Sequence, residues 1–438
     1  MRVPALLAFG LIASGQALFA ADAPTTVIRA HSLIDGTADK PRQNMEVVIR
    51  GNRIVDVHPM NSQAPPAGAQ VIDLGDATLL PGLIDTHTHI FLQGEDPAAG
   101  GYDVQLLKFP ASYRAARAVV AARRALEQGF TSIRDMETEG AGYGDVGIKR
   151  AINEGIIPGP RMWVTTLSIS TTGGYPLEGY APEIAALPKG SQLIDGPIEA
   201  RKAAREQLDK GADWIKVYMT HRSWLDAQGA LVSQPTLTVE ELKAIVDETH
   251  GWGKRVACHA YNGIGLQRAL DGGCDSIEHG LEITDAQIAQ MLRQGTWYVP
   301  TLQVYYTDWD PADTDTGKRD RKRAELHGVS FGKALRAGVK IAFGTDVGGF
   351  KWSEPIAAEF SREVQLGMTP MQAIQSATSR AAELLGKRGE LGVIAPGAYA
   401  DLVAVASDPL RDVDALKAVQ FVMKDGLVFK SPKGDAAP

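Results

Sequence analysis

Hydrophobic positions recur along the chain in two rhythms. Residues 26–80 carry short β-rich runs separated by turns: Val27-Ile28-Arg29-Ala30, Glu46-Val47-Val48-Ile49-Arg50 and Arg53-Ile54-Val55-Asp56-Val57. Gly51-Asn52, between the last two, suits a hairpin turn. The same rhythm returns at 397–405 and 419–428, so the two chain ends are expected to pair in one β-sandwich. Between them, apolar β-rich runs alternate with helical periodicity. Strands are expected at 81–90, 131–136, 161–166, 214–219, 255–260, 276–279, 297–302 and 340–345. Helices are expected at 111–128, 145–153, 198–210, 239–250, 264–270, 285–293, 319–336, 356–366 and 370–385. This alternation predicts an α/β fold, a closed parallel (β/α)8 TIM barrel over 81–386. Residues 22–80 and 387–438 would supply the two parts of the sandwich. An open doubly wound sheet is the structural alternative, but no Gly-X-Gly-X-X-Gly follows a first strand.

The first residues break both rhythms. Arg2 precedes a nearly unbroken apolar stretch over 3–20, followed by Ala21-Asp22. This is the pattern of a secretory signal peptide over 1–21, with cleavage near Ala20 or Ala21 and a periplasmic or secreted destination. An uncleaved membrane anchor is the alternative. No cysteine lies near this segment, which excludes lipid attachment there. No other stretch is long and apolar enough to span a bilayer.

Composition narrows the chemistry. The 438 residues are 44% hydrophobic and 22% charged, ordinary values for a globular protein with a large core. A formal charge of −7 leaves no basic footprint for nucleic acid. The two cysteines, Cys258 and Cys274, exclude a disulfide framework and a thiolate zinc cluster, although they could pair with each other.

In a (β/α)8 barrel, catalytic side chains come from the C-terminal ends of the strands. The first expected strand ends Asp85-Thr86-His87-Thr88-His89. Residues i and i+2 of a strand share a face, so His87 and His89 would project together. The other strand ends offer Lys216, His259, His279 and Asp346. A lone strand-end histidine is ordinarily a satisfied polar residue, and an Asp after Gly-Thr is ordinarily a turn or cap. Lys216 differs, because an ammonium in an apolar strand is costly unless it is paired or neutralised. Carboxylation by CO2 would turn it into an anionic carbamate able to bridge two cations. Together these groups point to a metal site.

With those residues in view, the chain resembles the amidohydrolase superfamily over essentially its whole length. The matching features are Pro81-Gly82-Leu83-Ile84-Asp85 before His87 and His89, Lys216, Cys258-His259-Ala260, Glu278-His279-Gly280, Gly344-Thr345-Asp346, and the tail from Gly389 to Val403. It is most similar to the imidazolonepropionase-related, prolidase-like branch, which includes Xaa-Pro dipeptidases and ochratoxin-hydrolysing amidohydrolases. The resemblance implies two divalent metal ions, zinc first among the candidates for a donor set of nitrogen and oxygen. His87, His89 and Asp346 would hold one, His259 and His279 the other, and carboxylated Lys216 would bridge them. A hydroxide between the ions would be the nucleophile, since a bound metal lowers the pKa of water to about 7. Asp346 would be the catalytic proton carrier. A homo-oligomer and a small-molecule substrate, a dipeptide or N-acyl amino acid, are further expectations.

Substrate contacts are less defined. Tyr218 shares the face of Lys216, and a tyrosine there in the related dipeptidases implies a contact to the substrate carboxylate; packing is the alternative. Arg222 and His221 follow in the next loop. The branch often has Gly-Gly-His-Gly after the third strand, whereas this chain has Gly173-Gly174-Tyr175-Pro176. Tyr175, with Trp224, Tyr305, Tyr306 and Trp309, would suit an aromatic substrate. The expected reaction is hydrolysis of an amide to a C-terminal amino acid. The rivals are a lactonase, cyclic-amide hydrolase or deaminase on the same scaffold, and a non-catalytic relative.

Overall fold

The computed structural model describes residues 24–95, 100–177, 179–181, 183–184, 187–306 and 314–432. The expected leader over 1–21 and Trp309 lie outside the described residues.

Both chain ends meet in one eight-stranded sheet. Its path runs Leu427–Lys430, Val419–Lys424, Leu402–Val405, Thr78–Pro81, Thr25–Leu33, Arg42–Arg50 and Arg53–Pro59, with Gln70–Asp73 also paired to Thr25–Leu33. The expected hairpin is present: Arg50 faces Arg53 across Gly51-Asn52, and Gly51 has φ +58°. Strand alternation sorts the side chains. Leu402, Ala404, Phe421 and Met423 join Ile28, Val47 and Ile49 in one core, while Val403, Val405 and Val422 face the barrel. The edge strand Arg53–Pro59 also meets the segment that leads into Leu402–Val405. Ile54 N–H donates to the Ala398 carbonyl at 2.9 Å, and both ends of the chain pack around one core.

The barrel closes through parallel pairing and single backbone bonds. Leu83–Thr88, Phe130–Asp135 and Arg161–Val164 pair in that order. Trp214–Tyr218, Arg255–Ala260, Ser276–His279 and Trp297–Val299 form a second parallel run. The Asp213 amide joins the two runs by donating to the Val164 carbonyl at 2.8 Å. The segment expected as the eighth strand, at 340–345, forms no regular strand, only a bridge of Ile341 to Tyr298, and it closes the ring through single backbone bonds. The Ala342 amide donates to Tyr298 at 3.0 Å, and the Thr86 amide donates to Phe343 at 2.9 Å. Helices on the outside include Ala111–Glu127, Pro197–Asp209, Val239–Gly251 and Asp315–Ala337. Thr238 and Thr284 start two of the outer helices with reciprocal capping boxes to Glu241 and Gln287.

Several expected boundaries move. The seventh strand ends at Val299 rather than 302, because Thr301 turns into the left-handed region and Leu302–Tyr305 is helical. The helix expected at 370–385 contains a wide turn at Ser376–Arg380. There Ser376 and Thr378 hydroxyls donate back to the Ala373 and Ile374 carbonyls, which competes with regular helix bonding. A hairpin of Thr220–Leu225 and Leu231–Pro235 follows the fourth barrel strand, unannounced by the apolar pattern. Cys258 and Cys274 form a disulfide that ties the fifth strand to the approach of the sixth. No described helix is long and apolar enough to cross a membrane.

Candidate metal centre

The strand ends converge on one cavity. Ring centroids of His87 and His89 are 5.3 Å apart, those of His87 and His279 are 4.9 Å apart, and those of His259 and His279 are 4.5 Å apart. Parallel register explains the grouping: Tyr218 pairs with His259, and Ala260 pairs with His279. Asp346 follows the segment at 340–345, with Oδ1 3.1 Å from His89 Nε2 and 3.6 Å from His87 Nε2. Candidate ligand atoms of His87, His89 and Asp346 all lie within 4.8 Å of one another. Lys216 is 1% exposed and lines the same cavity, its Nζ 5.2 Å from the Tyr218 ring.

The backbone is strained where these groups meet. His279, Thr301 and Asp346 have φ of +71°, +51° and +61°, a region that costs most L-residues about 1–3 kcal/mol. Gly348, at φ +113°, passes so close that a Cβ there would strike the His89 carbonyl.

Buried polar neighbours fix the ligands. His87 Nδ1 lies 2.8 Å from Glu278 Oε2, and His279 Nδ1 lies 2.8 Å from Thr301 Oγ1. Each contact leaves Nε2 as the ring's remaining ligand atom. Glu278 also binds Arg134 at 2.9 Å, a pair with no exposed side-chain surface. Asp85 accepts the His87 amide at 3.0 Å, and burial pushes its carboxyl up to about 7 against hydrogen bonds from Thr345 and His87. On the second strand's loop, Glu139 accepts hydroxyls from Tyr102 at 2.6 Å and Tyr175 at 3.0 Å. Burial and the neighbouring Glu139 raise Glu137 far above the carboxylate range. Burial also opposes ionisation of Glu139, but a bond from Glu137, the neighbouring His89 and the two tyrosines lower it below its ordinary value.

These residues fit a divalent metal. His87 Nε2 and His259 Nε2 are buried without a hydrogen-bond partner, and His89 turns Nδ1 toward Glu139 at 3.6 Å, which leaves its Nε2 facing Asp346. Burial, followed by neighbouring cations, depresses the imidazoles of His87, His259 and His279 well below their ordinary value. Neutral imidazoles beside a carboxylate are what a nitrogen-and-oxygen metal site requires.

The surrounding cavity is about 550 Å³. Tyr175, Tyr218, His221, Arg222, Trp224 and Tyr305 all line it. Tyr218 is 4% exposed, and its hydroxyl donates to Glu137 Oε1 at 3.0 Å. Tyr306 does not join the described lining: its hydroxyl reaches the Ala324 carbonyl, and its ring stacks under Arg362. The motif-based reading assigned no role to Glu278, Arg134, Glu139, Thr301, Tyr261 or Arg323. A usable signal existed for Arg134 and Glu278, since opposite charges inside two apolar strands are costly unless they meet.

Comparison with known proteins agrees with this geometry. The model of the amidohydrolase family matches residues 78–428. An ochratoxinase of Aspergillus niger is 31% identical over 451 aligned residues, covering 94% of this chain and 88% of its own. An imidazolonepropionase of Streptomyces coelicolor is 26% identical over 372 residues, covering 81% of this chain and 84% of its own. The crystal structure of a Xaa-Pro dipeptidase with methionine bound in its active site superposes with a TM-score of 0.82 at 34% identity. That match covers 93% of this chain and all (100%) of the dipeptidase. The chain belongs to the amidohydrolase family, and its fold is that of a hydrolytic enzyme.

Proposed function

We propose that this chain is a binuclear metal-dependent hydrolase that cleaves the amide between an acyl or aminoacyl group and a C-terminal amino acid. The observation that carries the reading is the convergence of His87, His89, His259, His279 and Asp346 with buried Lys216 on one cavity. In this reading His87, His89 and Asp346 hold one ion, and His259 and His279 hold a second. Lys216, carboxylated when its Nζ adds to the carbon of CO2 and loses a proton, would supply an anionic oxygen donor to both ions. The nitrogen and oxygen donors suit zinc. Bound ions supply a water of lowered pKa and polarise the scissile carbonyl.

The protein's own groups then divide the work. Glu278 and Thr301 set the direction of His87 and His279 through their Nδ1 contacts. Asp346, between His87, His89 and His279, is placed to take a proton and hand it to the leaving nitrogen. The barrel walls hold the substrate against these groups and limit water. A cavity of about 550 Å³ accommodates a dipeptide or an N-acyl amino acid. Aromatic side chains at Tyr175, Trp224 and Tyr305 suit an aromatic acyl group. Ochratoxin A, an aromatic acyl group joined to phenylalanine, fits that description, and the Aspergillus niger relative is an ochratoxinase. Export is a further part of the proposal. It rests on the apolar stretch over 3–20, and the Cys258–Cys274 disulfide is consistent with an oxidising compartment.

The test is a hydrolysis screen of the metal-replete protein on dipeptides, N-acyl amino acids including ochratoxin A, and lactones. Release of a C-terminal amino acid is the expected result. Turnover of lactones alone would contradict the amide reading.

A further inference from the structure

An amide to a C-terminal amino acid carries a carboxylate close to the bond that breaks. In an α-linked peptide, the scissile carbonyl carbon and the next carboxylate carbon are three bonds apart, within about 3.8 Å. A cation should therefore stand one side chain away from the metal-ligating histidines. Tyr218 is not such a cation, and its hydroxyl is already directed to Glu137. Arg222 lines the cavity but is exposed at its rim, where water screens its charge.

Arg323 meets the requirement. It lies on the helix Asp315–Ala337, lines the cavity, and its side chain is only 18% exposed. The guanidinium carbon is 4.9 Å from the Tyr261 ring and 5.9 Å from the Tyr305 ring. The same two tyrosines touch the metal-ligating histidines: Tyr261 is 4.4 Å from His259, and Tyr305 is 5.9 Å from His279. Arg323 is thus one aromatic ring away from both histidines of the proposed second ion.

Its orientation is built rather than incidental. Nε donates to Ser223 Oγ at 3.0 Å, across a sequence separation of 100 residues. Ser223 belongs to the hairpin that follows the fourth barrel strand, so two loops on different strands hold one guanidinium. Asp320 lies 3.5 Å from Arg323 but also accepts from Arg319 Nε at 3.0 Å. Asp320 is thus shared by two arginines, and Glu95, which lines the same cavity, is the other carboxyl group acting on Arg323. A stacked, partly buried guanidinium with terminal N–H groups is the usual partner of a carboxylate.

We propose that Arg323 takes the carboxylate of the leaving amino acid and so selects substrates that end in a free acid. This rests on the amide-hydrolase reading above. Ser223, Tyr261 and Tyr305 are then positioning residues for that guanidinium.

The test compares wild type, Arg323→Met and Arg323→Lys. Substrates are aminoacyl amino acids and their C-terminal amides, with Glu and Gln as paired leaving residues. Arg323→Met should lower kcat/KM on free acids by about a hundredfold or more, mainly through KM, and change the amides less than about threefold. Arg323→Lys should keep a measurable preference for acid over amide, which separates charge loss from misfolding. A loss on every free acid assigns the α-carboxylate; a loss confined to the Glu peptides assigns the side-chain carboxylate. Calorimetric titration of N-acetyl amino acids and their amides supplies a readout that needs no turnover. Equal losses on acid and amide, or none, would overturn the proposal. Wild type that binds the acid through Arg323 but cleaves no amide would overturn the hydrolase reading alone.

Discussion

His87 Nδ1 and Glu278 Oε2 lie 2.8 Å apart with both side chains fully buried, and Arg134 completes the contact from the second barrel strand. Glu278 therefore has two duties, orienting an imidazole and compensating a guanidinium. Glu278→Gln should weaken metal binding about 10–100-fold. It should also cost about 3 kcal/mol or more of stability, because Arg134 is left buried and unpaired. The double variant Arg134→Met with Glu278→Gln should recover the stability but not the metal affinity. Chelator competition and denaturant unfolding read the two effects separately. Recovery of both together would show that Glu278 acts only through packing.

Lys216 can be tested for its proposed carbamate. Arg keeps a positive charge at that position but cannot take the same role as a bridging anion. Both Lys216→Ala and Lys216→Arg should therefore lower turnover at least about a hundredfold, as expected when several kcal/mol of metal assistance are lost. Unchanged turnover in either variant would exclude the bridge.

Acid should destabilise the fold through His327. This side chain on the Asp315–Ala337 helix is fully buried, and burial pushes its imidazole down to about 3, against backbone contacts at His279 and Pro300 that favour the charged form. The unfolded chain binds a proton near 6.5 while the folded protein does not. The His327 contribution to stability should thus be constant above about 6.5 and fall as pH drops from there toward 3, by an amount on the order of a few kcal/mol. Urea unfolding of wild type and His327→Gln across pH 3–7 measures it. Equal slopes for the two proteins would assign the acid sensitivity elsewhere.

The disulfide closes a separation of 16 residues between Cys258 and Cys274. Replacing both by Ala should cost about 3 kcal/mol, chiefly by freeing the unfolded chain. Metal content should not change, since neither sulfur belongs to the ligand set. A variant that unfolds at the wild-type denaturant concentration would show that the link adds no stability.

The sequence was most readable where geometry is repetitive. Period-2 and helical patterns located the barrel strands, and the rule that function sits at strand C-termini then selected His87, His89, Lys216, His259, His279 and Asp346. Contacts between distant segments were not readable. Nothing in the chain's periodicity announces that Ser223 meets Arg323, or that Glu139 gathers Tyr102 and Tyr175. Local competition also hid the hydroxyl-driven widening at Ser376–Arg380 and the left-handed turn at Thr301. Loops that follow no rhythm carry the substrate contacts, so they became legible only in three dimensions.

The central claim is that two divalent ions sit among these strand ends and are required for amide cleavage. Elemental analysis of the purified protein, before and after chelation and with hydrolysis measured on the same samples, tests it most directly. About two ions per chain, with activity that disappears on chelation and returns on adding zinc, is the predicted result. A protein with no bound metal that cleaves its substrate at the full rate would contradict it.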